Sequence, residues 1–252
     1  MMSFQILRKI LDAIILVWIV VFVSDRFTPW FSNFNACQLL SKYTSEEIDH
    51  FAKFALSEGK LKKWRKDIRI KVCQYDGRED LNVLMNKGVD LVNLLLEEIE
   101  IIKDTAYYNL EVVFHDSTVL NRLGYAPTKE SVFRIPYPTI KSGRMEVYSG
   151  NPDVLNSIIY HEFSHILGFH HNFLVDYQSV FNSTPKKLVV AEEGEKMVPS
   201  FENYSELDKA AIRIMYDKDV GIDPGLTKRK FFRMIEKAKK EMGYDDPVVG
   251  GG

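Results

Sequence analysis

The stretch from Asn151 to His171 reads NPDVLNSIIYHEFSHILGFHH, and the rest of the chain is interpreted around it. Its first three residues form a helix start, because they supply a capping side chain, a first-turn proline and an acid at the positive end of the dipole. Apolar residues then recur at helical spacing and indicate one face buried in a core: Leu155, Ile159, Phe163 and Ile166. The stretch therefore predicts a capped amphipathic helix.

The polar side of this helix carries the residue types of a metal site. His161 and His165 are four residues apart, so both imidazoles leave one face about one turn apart, which suits a single Zn²⁺. Glu162 is rotated by about 100° around the axis, so it is placed to hold a metal-bound water rather than the metal. Gly168 allows a sharp turn after the helix, which lets His171 return as the third ligand.

The residues at these positions resemble the signature of a known protein family. They fill every defined position of the metzincin signature H-E-x-x-H-x-x-G-x-x-H. A chance match on a helix with surface histidines is disfavoured, because four of the six histidines of the chain lie within these eleven residues. The resemblance implies a zinc endopeptidase with Glu162 as general base. Tyr216 and His170 are candidates for a second electrophile that stabilises the oxyanion, although His170 also fits a supporting or solvent-facing role.

An alternative function is a non-catalytic zinc-containing module of the cell envelope that binds peptides or proteins. Glu162 argues against it, because a structural zinc needs no general base and usually has a fourth protein ligand. The net charge of −2 and the lack of a basic stripe interleaved with aromatic residues argue against nucleic-acid binding. The expected partner is therefore a peptide or protein substrate.

The N-terminus is predicted to be a signal or membrane-anchor segment. Arg8 and Lys9 precede an apolar run from Ala13 to Val23, which is the order found in signal segments. No good cleavage site follows, so an uncleaved anchor is favoured over a cleaved signal peptide or a buried core helix. Because the basic end is expected to stay in the cytoplasm, the protein is predicted to be membrane-anchored and extracytoplasmic, with secretion after cleavage as the alternative.

The length of 252 residues fits one catalytic domain with an appendage. Within the appendage, Ser45 to Leu56 predicts an amphipathic helix capped at Thr44 or Ser45. Lys60 to Lys66 predicts a solvated basic connector around Trp64. The predicted divisions are a signal or anchor segment at 1–30, a helical extension at 31–66, a metzincin-like catalytic domain at 67–245 and a flexible tail at 246–252.

The pattern after the connector predicts an α+β fold. It contains a strand at Asp67–Gln74 and a long helix at Leu81–Ile102. Three further strands follow at Leu110–Phe114, Val132–Ile135 and Arg144–Tyr148, and the zinc helix starts from Asn151. A turn is expected at Ser142-Gly143. The metzincin resemblance implies a twisted mixed sheet with one long helix and an active-site helix, above a small irregular C-terminal subdomain. It also implies an edge strand beside the zinc helix, to which an extended peptide can pair.

Metzincins carry a methionine turn beneath the zinc, and three residues are candidates for it. Phe181, in the segment Ser179 to Asn182, lies close behind the third ligand and is preferred, although Phe then replaces Met. Met197 and Met215 are the alternatives. Met215 falls in Ser205 to Asp217, which resembles the C-terminal helix of matrixin-type enzymes and so favours a place in a helix core.

A second resemblance spans about Phe51 to Gly225. The segments FAKFALSEG, SVFN and LDKAAIRIMYD, with a later PG, are similar to a family of bacterial zincin-related domains of unknown function. Many members lack a full zinc motif, whereas this chain has one. The resemblance implies a zincin fold and an exported bacterial setting. In such an oxidising compartment Cys37 and Cys73 could form one disulfide, and two buried free thiols are the alternative.

Overall fold

The computed structural model describes residues 15–16, 33–73, 79–104, 106–115, 124–130, 139–149, 152–172, 179–182 and 203–244. Only Ile15 and Leu16 of the predicted signal or anchor segment are described. The prediction of a membrane anchor therefore falls on residues outside these ranges. In the described ranges, no helix combines the length and apolar character that a membrane span requires. The predicted strand at Val132–Ile135, the alternative turn residue Met197 and the tail at 246–252 also lie outside them.

The predicted helix starts near Thr44 and Ser205 are found in the structure, whereas the predicted cap Asn151 lies outside the described residues. The helix bounds are α1 Ala36–Lys42, α2 Ser45–Ala55, α3 Glu79–Asn93, α4 Pro152–Leu167, α5 Glu206–Tyr216 and α6 Lys228–Glu241, with a 3₁₀ turn at Val180–Asn182. A capping box begins α2, in which the Thr44 hydroxyl and the Glu47 carboxylate each accept a hydrogen bond from the other residue's backbone N–H. Ser205 and Asp208 begin α5 in the same way.

The described strands form one mixed sheet. They are β1 Lys63–Trp64, β2 Ile68–Cys73, β3 Ile101–Lys103, β4 Leu110–His115, β5 Gly124–Tyr125, β6 Thr128–Glu130 and β7 Thr139–Tyr148. The order β1-β7-β4-β2-β3 is parallel throughout, and only β5 and β6 pair antiparallel, both with β7. The predicted mixed sheet is confirmed, within a mixed α/β structure that is more parallel than the predicted α+β class suggests.

The predicted end of the long helix is wrong. The helix α3 ends at Asn93, and Ile101–Lys103 forms β3, which pairs with β2. The side-chain amide of Asn93 donates to the Ile101 carbonyl at 2.9 Å and accepts from the Ile101 N–H at 2.8 Å. The chain therefore leaves the helix and returns to the sheet. The apolar spacing continues across this break because the residues of β3 are also buried on one side.

The predicted start of the last strand is also wrong. Strand β7 begins at Thr139, and the expected turn at Ser142-Gly143 lies inside it. Gly143 pairs with Leu110 of β4 on one side and with Thr128 of β6 on the other. Pairing on both sides holds these residues extended, whatever their local turn preference.

One lysine of the predicted solvated connector is buried. Lys63 is 1% exposed, and its Nζ donates to Glu98 at 2.5 Å and to the carbonyls of Met215 and Ile222 at 2.8 and 2.9 Å. Burial lowers the pKa of Lys63, against the opposing effect of Glu98. A buried cation needs such partners, so this side chain joins β1 to the C-terminal part of the chain.

The apolar face of α4 faces the sheet as predicted. Its four predicted core residues are at most 1% exposed, and α4 contacts both β7 and α3. The helices α2 and α5 pack against each other, and so do α1 and α6. The described buried residues of the N-terminal helices, the sheet and the C-terminal helices share one hydrophobic core. The predicted boundary at residue 66 stays a prediction.

Candidate metal centre

Side chains from two distant elements fix the C-terminal end of α4. The Trp64 indole N–H donates to the Ile166 carbonyl at 2.7 Å, and the Tyr216 hydroxyl donates to the Leu167 carbonyl at 2.9 Å. These bonds satisfy carbonyls that the helix itself leaves without a partner. Gly168 follows with φ of 108°, and a Cβ at that position would collide with the Lys62 carbonyl. Only glycine therefore makes the turn that carries the next residues back towards the helix.

Three histidines converge after this turn. The Nε2 atom of His165 lies 3.1 Å from Nε2 of His161 and 3.1 Å from Nε2 of His171. The three ligand atoms all lie within 4.8 Å of one another, and these residues form the one group among the described residues that could hold a metal ion. The predicted third residue, rather than its neighbour His170, completes the group.

The hydrogen bonds of the other ring nitrogens determine what the Nε2 atoms can do. His161 Nδ1 lies 2.6 Å from the Val180 carbonyl oxygen, and His165 Nδ1 lies 2.9 Å from the Phe169 carbonyl oxygen. A carbonyl oxygen only accepts, so Nδ1 carries the proton and Nε2 of each neutral ring presents a lone pair. Two lone pairs at 3.1 Å repel each other unless a cation lies between them.

These distances fit a zinc ion. Tetrahedral Zn²⁺ with Zn–N bonds of about 2.0–2.1 Å places two ligand nitrogens about 3.3 Å apart. The observed separations of 3.1 Å are close to that value. The backbone carbonyls on Nδ1 also match the usual second partner of a metal-binding histidine. The donor set of three neutral imidazoles therefore fits the metal that the signature implies.

Burial keeps the three rings in the neutral form that binds a metal. It lowers the pKa of His161 to about 4, against the opposing hydrogen bond with Val180. Burial and the neighbouring histidines lower the pKa of His165 further. Burial also lowers the pKa of His171, with a hydrogen bond to the backbone of Phe181 acting in the opposite direction. No proton has to leave these rings before a cation binds at neutral pH.

Glu162, which follows His161 on α4, has a buried side chain. Glu162 is 4% exposed, and its neighbour is the backbone of Gly124 on β5. A Cβ added at Gly124 would collide with the carboxylate oxygen, so only glycine leaves room for it. The predicted general base therefore lies between the active-site helix and an antiparallel strand of the sheet.

The 3₁₀ turn at Val180–Asn182 supports the histidines through its backbone. The carbonyl of Val180 meets His161, and the backbone of Phe181 meets His171. The ring of Phe181 is fully buried and stacks on Phe169, with a centroid distance of 4.3 Å and an interplanar angle of 3°. The segment therefore lies against the histidines, whereas Met215 lies in the buried face of α5, and the role of Phe181 as the turn beneath the zinc stays a prediction.

The two candidates for a second electrophile have other partners. Tyr216 is fully buried, and its hydroxyl donates to the Leu167 carbonyl at the end of α4. It therefore supports the helix, and the suggested role at the oxyanion is wrong. His170 Nδ1 lies 3.3 Å from Glu58, and its backbone N–H donates to the Phe54 carbonyl at 3.1 Å. Burial lowers the pKa of His170 and Glu58 raises it.

Sequence reasoning missed three residues around the site. Gly124 lies in a segment without strand periodicity, and His50 and Asp208 lie in helices far from the zinc motif. For Asp208 a signal existed, because it is the third residue of a helix that begins with a capping serine. For His50 and Gly124 no local pattern distinguishes them from surface residues. Of the two alternatives for the cysteines, the structure has free thiols, and both Cys37 and Cys73 are partly exposed rather than buried.

Comparison with known proteins gives structural likenesses but no sequence match. No protein-family model matches the sequence, and no curated protein matches it. Among solved structures, the chain is similar to high choriolytic enzyme 1, a hatching enzyme zinc-protease from the medaka fish Oryzias latipes. The TM-score is 0.38 and the identity is 14%, over 62% of this chain and 94% of that chain. Similarity at this level establishes neither a family nor a function.

Proposed function

We propose that this protein is a zinc-dependent endopeptidase of the metzincin type. The observation that carries the proposal is the convergence of three neutral imidazole Nε2 atoms beside the buried carboxylate of Glu162. Three histidines leave a coordination position open, as in catalytic zinc sites, whereas structural sites are usually closed by a fourth protein ligand. The described residues offer no cysteine or carboxylate that joins the three histidines as a further ligand.

The residues that would hold Zn²⁺ are His161, His165 and His171. A bound zinc ion would lower the pKa of a water molecule towards about 7 and polarise the scissile carbonyl. The chain itself supplies the orientation of the rings. The carbonyls of Val180 and Phe169 hold the Nδ1 protons, so that both Nε2 lone pairs point to one place.

Glu162 would act as the general base. It follows directly after the first ligand on α4, and its carboxylate is shielded by the backbone of Gly124. From there it can accept the proton of the attacking water and later give it to the leaving amine. Asp153 lies at the other end of α4, about two turns away, and cannot take this role.

The sheet supplies a place for an extended substrate. Strands β5 and β6 run antiparallel to β7, and within the described ranges they pair with no other strand. Their outer edge therefore offers backbone donors and acceptors to a peptide, as in strand addition. Since Gly124 of β5 touches Glu162, a peptide on this edge would pass directly beside the general base.

The test is peptide cleavage by the full-length chain. Wild type, His165→Ala and Glu162→Gln are compared for zinc content and for cleavage of a mixed peptide library. Wild type should bind one zinc ion and cleave, and His165→Ala should lose both properties. Glu162→Gln should keep zinc and lose turnover by at least about 10²–10⁴, because glutamine keeps the volume but cannot accept the proton. Zinc binding without zinc-dependent cleavage by wild type would instead support the non-catalytic peptide-binding module.

A further inference from the structure

We propose that helix α2, in the N-terminal extension, is part of the support of the metal centre, with His50 as a positioning residue for the ligand His161. The proposal rests on the metal site of the proposed function, but not on its peptidase activity. It concerns a helix more than a hundred residues before the zinc motif. Two separate sets of contacts join this helix to the ligand histidines.

The first set begins at the ring of His161. Its Nδ1 is held by the Val180 carbonyl at 2.6 Å, so the position of this turn sets the orientation of the ring. Asp208 of α5 holds this 3₁₀ turn in place. The Ser179 hydroxyl donates to Asp208 Oδ1 at 2.6 Å, and the Val180 N–H donates to Oδ2 at 3.3 Å. The Asp208 carboxylate therefore fixes both Val180, whose carbonyl contacts His161, and Ser179, the residue before it.

His50, which lies on α2, makes the last contact of this first set. Its Nε2 lies 2.9 Å from Asp208 Oδ1, and the Asp208 side chain has no solvent exposure. The described groups facing His50 are this carboxylate and the rings of Phe54 and Phe181. Burial raises the pKa of Asp208, but hydrogen bonds from His50, Ser179 and Ser205 outweigh it, so the pKa is lowered. A buried carboxylate requires such donors, and His50 is the one that comes from outside the turn and α5.

The second set holds the loop that carries the third ligand. The His170 N–H donates to the Phe54 carbonyl, and the Asn172 side-chain amide donates to the Lys53 carbonyl, both at 3.1 Å. These two bonds flank His171 in sequence. The acceptors belong to the last turn of α2, whose carbonyls have no partner within the helix. The loop with His171 therefore rests on the end of α2.

Aromatic packing connects the two sets. Phe54 of α2 meets the edge of Phe181 at a centroid distance of 5.3 Å, and Phe181 stacks on Phe169. The carbonyl of Phe169 holds the Nδ1 of His165. Every ligand histidine is thus oriented by a backbone group that α2 contacts directly or through one intermediate residue. A shift of α2 would move the three Nε2 atoms relative to one another.

The test measures metal binding by the full-length chain. Zinc affinity is measured by competition with a chelator, and the Co²⁺-substituted protein is recorded by visible absorption, because its ligand-field bands report the coordination geometry. His50→Ala should weaken zinc binding by about tenfold or more and alter the Co²⁺ spectrum. His50→Gln should restore most of both properties, since its side-chain amide can still donate to Asp208. Asp49→Ala, an exposed change on the same helix, is the matched control.

Unfolding of the metal-free protein separates positioning from loss of the fold. If His50→Ala does not fold, Ser179→Ala replaces it, because this change removes the hydroxyl that donates to Asp208 and accepts from the Phe181 N–H, and so loosens the turn from Asp208. Wild-type affinity and an unchanged Co²⁺ spectrum in the folded variant would overturn the proposal. Absence of metal binding in wild type would overturn it together with the proposed function. Metal binding without peptidase activity would refute only the proposed peptidase activity. The zinc affinities and Co²⁺ spectra of the His50 variants would still decide whether His50 positions His161.

Discussion

The backbone of Gly124 lies against the carboxylate of Glu162, so closely that no side chain fits between them. Gly124 belongs to β5, which pairs with the end of β7, and Glu162 belongs to α4, which packs on β7. The strand and the helix thus meet at the proposed general base. A glycine is required here by the close approach of the carboxylate rather than by a turn.

Replacement of Gly124 by alanine is expected to slow peptide cleavage strongly and to leave zinc bound. The added methyl group would push the Glu162 side chain from its place, since the three atoms nearest to the added Cβ all belong to Glu162. We expect kcat to fall by at least about a hundredfold, as for a displaced general base. Zinc content and cleavage are measured together, and Asp49→Ala, an exposed change away from this edge of the sheet, is the control. Wild-type kcat in Gly124→Ala would contradict the proposed role of Glu162.

The zinc helix could be predicted from the sequence because its information is local. The apolar face and the spacing of His161 and His165 lie on one helix. The turn at Gly168 was predicted from the residue type, and the structure confirms it with a positive φ. Local patterns of this kind also predicted α2, β2, β4 and α5. In each case backbone periodicity and burial agree over a whole element.

The supporting contacts could not be predicted because their partners are far apart in the chain. His50 and Asp208 are 158 positions apart, and so are Arg65 and Asp223. Lys63 looks like part of a solvated basic run, yet it is buried because two carbonyls and Glu98 surround it. A contact that depends on the packing of several elements leaves no periodic signal in any one of them. For the same reason the short strand β5 was missed.

Zinc is expected to stabilise the folded chain. The three histidines are brought together only by folding, so the metal binds the folded state in preference to the unfolded state. With free zinc at about one hundred times the dissociation constant, the free energy of unfolding should rise by about 2.7 kcal/mol. Thermal unfolding with zinc and with a chelator measures this difference. His171→Ala should remove most of it, and an equal response to zinc in this variant would argue against His171 as a ligand.

Replacement of Tyr216 by phenylalanine separates a structural role from a catalytic one. The change removes the hydroxyl that donates to the Leu167 carbonyl and accepts from the Trp64 N–H. Leaving buried backbone groups without a partner should cost about 1–3 kcal/mol of stability. Urea unfolding measures that loss, and kcat of the folded variant should equal that of wild type. A group on the oxyanion would instead lower kcat by about 10²–10³.

The carboxylate of Asp217 should make the stability of the protein depend on pH. It ends α5 and accepts hydrogen bonds from the Lys42 ammonium at 3.1 Å, the Tyr43 hydroxyl at 2.9 Å and the N–H groups of Asp219 and Val220 at 2.8 and 3.0 Å. Burial raises its pKa, but the Val220 N–H and the bonds from Lys42 and Tyr43 outweigh this effect. The pKa of Asp217 in the folded state is therefore below the ordinary value of an aspartate.

A lowered carboxyl pKa stabilises the folded state only while the group is ionised. The contribution of Asp217 is therefore fully present above its unfolded pKa of about 3.9 and is lost as the pH falls through the lower folded value. Asp217→Asn should cost about 1–3 kcal/mol at about pH 7, because the amide cannot accept all of these bonds. The gap to wild type should be smaller at about pH 3, because the stability that the ionised carboxylate contributes begins to be lost once the pH falls below the unfolded pKa. Urea unfolding at both pH values measures the gap, with the exposed Asp49→Asn as control, and a gap of equal size at both would show that ionisation of Asp217 contributes nothing.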